Sequence, residues 1–132
     1  MELTLFIKKS NHPASNRKKT IKSLESDSFS IKEIVFIDKF ENIDYEGIQT
    51  DWYMILYDNE ALDESLLESI PVLLDDLGKT KCFAFYKSIG NEKYSICPRL
   101  FRKEVKISTK VLYPRNEREP ILNILNGFVV EH

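Results

Sequence analysis

Three groups of side chains in this sequence have the types and spacing for chemistry. The apolar run "DWYMILY" stops at Asp58, Asn59 and Glu60, so two carboxylates one residue apart stand where a buried strand should end. Asp38 closes a similar run, "KEIVFID", and Arg99 and Arg102 flank Leu100 and Phe101 in "CPRLFRKEV". Carboxylates two positions apart at a strand end can both face one hard cation, Mg²⁺ or Mn²⁺, which neutralises charge on a departing phosphate. Acidic residues there also make turns and helix entries, and the sequence leaves both roles open for Asp58 and Glu60. Asp38 is either a partner for a nucleotide base or ribose, or a cap on its strand. Arg99 and Arg102 suit a diphosphate or an acidic acceptor. An alternating strand sends them to opposite faces, so at most one should enter a cleft. His132 could approach the same site as a ligand, although terminal residues usually fray.

These residues need elements to hold them. "LTLFI" (3–7), "KEIVFID" (32–38) and "DWYMILY" (51–57) are short, apolar and rich in β-prone types, as expected of buried strands. Between the first two, Ala14, Ile21 and Leu24 form a thin stripe at helical spacing with Arg17, Lys18, Lys19 and Lys22 outward, which predicts a basic amphipathic helix ending near Asp27. Asp63 can cap a second helix carrying Leu66, Leu67, Ile70 and Leu74, and Pro71 inside it predicts a kink or a split at Ser69. "KCFAFYK" (81–87) and "KYSICPRLFRKEVKI" (93–107) read as further strands, and the tail as a loop at Pro114, a short apolar turn "PILNILNG" and a strand-like "FVVEH". This order predicts a single small α/β domain over 1–132, with a mixed, mostly parallel sheet flanked by helices. Ligands of such sheets gather at the carboxyl ends of the strands, here Lys8 to Asn11, Asp38, and Asp58 to Glu60.

Composition limits the function classes. The 132 residues are 42% apolar and 30% charged, globular proportions for one domain with a real core. A formal charge of −2 argues against a general nucleic-acid binder. Cys82 and Cys97 sit in apolar runs without the spacing of a metal knuckle, as expected of reduced, buried thiols in a cytoplasmic protein. The apolar run near the start is too short for a membrane span or a signal peptide.

In order along the chain, "LTLFIKKSNHPASNRKKTIKSLESDSFSIKEIVFID", "WYMILYDNEALDESLLESI" and "CPRLFRKEV" resemble segments of family-two glycosyltransferases. There a strand and basic helix lead to a strand ending in Asp, a later strand ends in an acidic metal motif followed by a helix, and a "PRLFRR" segment comes further on. "FVVEH" is similar to their "VHE" with the order changed. The resemblance implies a nucleotide-diphospho-sugar transferase-like fold, with the donor at Asp38, Arg99 and Arg102 and Mg or Mn at Asp58 and Glu60. In register with the motif, Tyr57 and Asn59 take the places of its two Asp residues and Glu60 matches; a shift by one restores Asp58 and Glu60 as a pair. Two activities follow as expectations: sugar transfer from a nucleotide-sugar donor, or a non-catalytic protein on a trimmed version of that fold that binds a small ligand or a protein partner.

Overall fold

The computed structural model describes residues 1–76 and 78–132. It contains seven strands: β1 (Glu2–Lys8), β2 (Ser30–Ile37), β3 (Trp52–Tyr57), β4 (Glu60–Leu62), β5 (Cys82–Ser88), β6 (Tyr94–Arg102) and β7 (Leu122–Glu131). The two α-helices are α1 (Arg17–Lys22) and α2 (Glu64–Leu74). All seven strands join one sheet in the order β2-β1-β3-β6-β5-β7-β4. The first three strands are parallel, as is β5 with β7, whereas β3–β6, β5–β6 and β4–β7 are antiparallel.

This architecture corrects the expectation of a helix-flanked α/β sheet and of a nucleotide-diphospho-sugar transferase-like layout. The protein is mostly β, and its sheet curls into a half-barrel. The reason lies in the connections. The basic helix expected from Ala14 is only six residues long, because Asn16 caps it and Ser23 ends it. Between β2 and β3 there is no α-helix; two 3-10 turns, Phe40–Asn42 and Tyr45–Gly47, place Phe40, Ile43 and Ile48 against the sheet instead. Both helices therefore pack on one face, with Leu24, Leu66, Ile70 and Leu73 over Leu3, Leu5, Ile7, Met54 and Leu56. The opposite face is covered by turns and loops, with Phe40, Ile43, Ile48, Val105 and Ile107 over Phe6, Tyr53, Ile55 and Phe101. Strands β1 and β3 are buried on both faces, which is why they read as unbroken apolar runs.

One local prediction is narrowed, since α2 is not split, and another changes. Helix α2 runs without a break from its Asp63 cap through Pro71 to Leu74. The expected turn "PILNILNG" is largely strand: β7 begins at Leu122, and its pairing with β5 jumps from Ile124 to Phe128 across a bulge at residues 125–127. Gly127 adopts φ +94° there and lies so close to α2 that a Cβ would stand 2.3 Å from the Leu66 nitrogen. Only glycine meets both demands. No described helix is long and apolar enough to cross a membrane.

Candidate functional site

Strands β3 and β6 pair only from Trp52 to Met54 and from Leu100 to Arg102, and then diverge. The gap they leave is bridged by a carboxylate. Glu60, fully buried at the start of β4, accepts the Tyr57 N–H through Oε1 at 2.8 Å, while its Oε2 binds Arg99 Nη2 of β6 at 2.9 Å and Lys87 Nζ of β5 at 2.6 Å. Lys87 also reaches Glu131 of β7 at 2.9 Å, so two acids and two bases from four strands form one neutral cluster. Burial by itself lowers the Lys87 pKa, but its bonds to Glu60 and Glu131 outweigh that and raise it, so the ammonium is held charged.

Asp58 faces a different set of partners. Its Oδ1 accepts the backbone N–H of Ser10 at 3.1 Å and also the Ser10 hydroxyl, which pins the loop after β1. Burial pushes this carboxyl up, yet hydrogen bonds from Ser10 and Ser15, aided by the Arg17 charge, hold it below the usual carboxylate range. The backbone of Asp58 is equally committed: its N–H donates to the Lys8 carbonyl at 3.0 Å, and its carbonyl accepts from Asn16 N–H at 2.8 Å. His132 completes this corner rather than fraying. Its N–H donates to the Asn59 carbonyl at 2.9 Å, and its Nε2 lies 3.2 Å from each of the Asn16 and Asp58 carbonyls, an arrangement that requires a proton on Nε2.

The carboxylates of Asp58 and Glu60 thus point to separate internal partners, and among the described residues no group of three or more His, Cys, Asp or Glu is arranged to hold a metal. Asp38 lies apart from them, exposed on the rim of a cleft of about 470 Å³ at the carboxyl ends of β1, β2 and β3. Lys8, Lys39, Glu41, Tyr57, Lys110 and the buried Phe40 line the same cleft, with Lys39 3.8 Å from Glu41, and neither Asp58 nor Glu60 does. The Lys8 ammonium sits 5.4 Å from the Phe40 ring centre and 5.8 Å from that of Tyr57, cation–π distances in a half-open site. Arg99 also approaches Tyr57, 5.4 Å from the ring centre. Burial raises the Tyr57 pKa against the pull of Arg99, so the phenol stays protonated.

Of the two arginines singled out in the sequence, Arg99 does not line the cleft but is buried and tied to Glu60. Arg102 lies three residues, about 10 Å, further along β6. It pairs with Trp52, five residues and about 17 Å along β3 from Tyr57, stacks on the Trp52 ring at 4.4 Å and donates to the Asp76 carbonyl. Sequence reasoning passed over Lys87, and gave Glu131, Tyr57 and Ser10 none of the partner roles they have here. A visible signal existed for one of them: Lys87 is a lone charge ending the apolar "CFAFY", where a buried partner is to be expected. Neither a scan against protein-family models nor a search of curated proteins finds a match.

Proposed function

We propose that this chain is a non-catalytic binding protein for a nucleoside diphosphate or nucleotide-sugar, held in the cleft between Asp38, Phe40 and Tyr57. One observation carries the reading: the acidic cluster is neutralised internally by Lys87 and Arg99, while the cleft beside it carries three lysines, Lys8, Lys39 and Lys110, against two carboxylates, Asp38 and Glu41, next to the half-buried Tyr57 ring. A diphosphate needs its charge compensated by a metal on free carboxylates or by side-chain cations. Here the carboxylates of the cluster are occupied, and Lys8 and Lys110 are at hand beside the Lys39–Glu41 pair. The half-buried Tyr57 ring suits the edge or face of a base, and Asp38 suits a ribose hydroxyl. Sugar transfer is the second reading, since Asp38 is an exposed carboxylate able to take a proton from an acceptor.

The test is melting temperature with uridine, guanosine and cytidine diphosphates, with EDTA or with Mn²⁺. At a hundredfold excess over Kd, the best ligand should raise Tm by about 10 °C in EDTA. The rise should shrink in Lys8→Ala and Lys110→Ala. If no nucleotide raises Tm, the binding site is misassigned. If the rise needs Mn²⁺ and disappears in Asp58→Ala, the transferase reading replaces this one.

A further inference from the structure

The sheet has two edges of very different character. At one end β4 is three residues long and is covered by α1, whose Thr20 hydroxyl donates to the Glu60 carbonyl at 2.7 Å and whose following Ser23 hydroxyl accepts the Leu62 N–H at 3.1 Å. At the other end β2 is eight residues long and pairs with β1 alone. Five of its residues are apolar, and Phe36 is 46% exposed. Natural sheets blunt such an edge with charges, proline or bulges. In β2 those devices are confined to the first half: Lys32 and Glu33, and a register shift against Leu3 and Thr4. Ile34 to Ile37 carries none. A long, apolar, unblunted edge is a template for another strand.

The surroundings of β2 select the strand that fits. On the helix face, beside the first half of β2, lies an open groove of about 430 Å³ with Ile21, Leu24, Ile31 and Ile34 in its floor and Glu25 and Asp27 on its rim. Beside the second half, Arg17 lies over the Phe36 ring at 4.2 Å, with Lys18 exposed next to it. The edge is therefore acidic at one end and basic at the other. Phe36 projects on the same face as Ile34.

We propose that β2 is the interface for a second copy of this chain, paired antiparallel across a two-fold axis so that two half-barrels share one continuous sheet. Antiparallel pairing sets Arg17 and Lys18 of each copy toward Glu25 and Asp27 of the other, twice over, whereas parallel pairing would oppose like charges. It also brings each exposed Phe36 alongside the partner's apolar groove, next to Ile31 and Ile34.

Sedimentation velocity over a concentration series tests this. The wild-type chain should reach twice its 15.5 kDa mass. Reversing either end, Glu25→Lys with Asp27→Lys or Arg17→Glu with Lys18→Glu, should weaken the dimer about tenfold or more, because these exposed positions would then face like charges. Mixing the two reversed variants should restore a species of two chains, and circular dichroism confirms that each is folded. A wild-type monomer at every attainable concentration overturns the proposal. So does a dimer indifferent to both reversals, which would use another surface, or reversed variants that fail to complement one another.

Discussion

Replacing Glu60 with glutamine preserves the shape of the side chain and removes its charge, which isolates the electrostatic role of the cluster beneath the cleft. Glu60 is 0% exposed and Arg99 4%. In the Glu60→Gln protein the amide must turn an N–H toward either the arginine or the Tyr57 N–H, and the guanidinium is left buried without its counter-charge. Breaking a buried pair from one side costs about 3–5 kcal/mol. Most of this falls on Arg99, because Lys87 retains Glu131 at 2.9 Å. With a urea slope of about 2 kcal/mol per molar, the unfolding midpoint should drop by about 2 M. Trp52, the single tryptophan, reports the transition well: it is buried and stacked on Phe83 at 5.4 Å, so its emission should shift to the red on unfolding. The control is a double-mutant cycle with Arg99→Met. Removing both charges should cost about 2 kcal/mol less than the sum of the single changes. A loss below about 1 kcal/mol for Glu60→Gln, or strict additivity in the cycle, would mean that Glu60 is not internally satisfied and is free to bind a ligand.

Three further outcomes follow from geometry. The Asp58 carboxyl is held below its usual pKa, so its contribution to stability is present above the unfolded value of about 3.9 and lost as pH falls through the folded one. Acid-unfolding curves of Asp58→Asn and wild type should therefore converge at low pH and separate above about pH 4; a constant gap would contradict the assigned hydrogen bonds to Ser10. Gly127→Ala meets both a positive φ and the Leu66 backbone, so it should lower stability by at least about 2 kcal/mol in a thermal melt, and a change within about 0.5 would show that the bulge is soft. Cys82 is buried, with its thiol pushed up to about 12, whereas Cys97 is half-buried. A disulfide reagent should titrate Cys97 promptly in the native protein and reach Cys82 only with denaturant, and two equally fast equivalents would contradict this core.

Much of the sheet was legible because continuous apolar runs have few alternatives at these lengths. β1, β2, β3 and β5 were expected within two residues of where they lie, and their direct register brings Lys8 beside Ile37 and Tyr57. The fold class was not legible. Whether a connection becomes a helix or a pair of 3-10 turns depends here on Phe40, Ile43 and Ile48 finding the sheet at three- and five-residue steps, a tertiary fact that periodicity does not carry. β4 escaped notice because three residues carry too little pattern, and of β7 only the second half, in "FVVEH", was expected, because the bulge interrupts the alternation before it. At the site, the polarity of the strand ends was visible in Asp38, Asp58 and Glu60. Their partners were not, since Arg99, Lys87 and Glu131 lie far along the chain and meet Glu60 only through strand order. Arg102 lies only three residues beyond Arg99 on β6, about 10 Å further along the strand, where Trp52 rather than Glu60 is its partner.

The attachment of β4 has a consequence for how the molecule is made. In the sheet β4 pairs with β7 alone, through partners roughly 70 residues apart in sequence. A nascent chain can zip β1, β2 and β3 together early, but Glu60 has no ladder to sit in until the segment from Leu122 to Glu131 has been synthesised. Until then an acid and its eventual counter-ions are separate and hydrated, and a ribosome paused before residue 122 would display the parallel core without the lock that closes it.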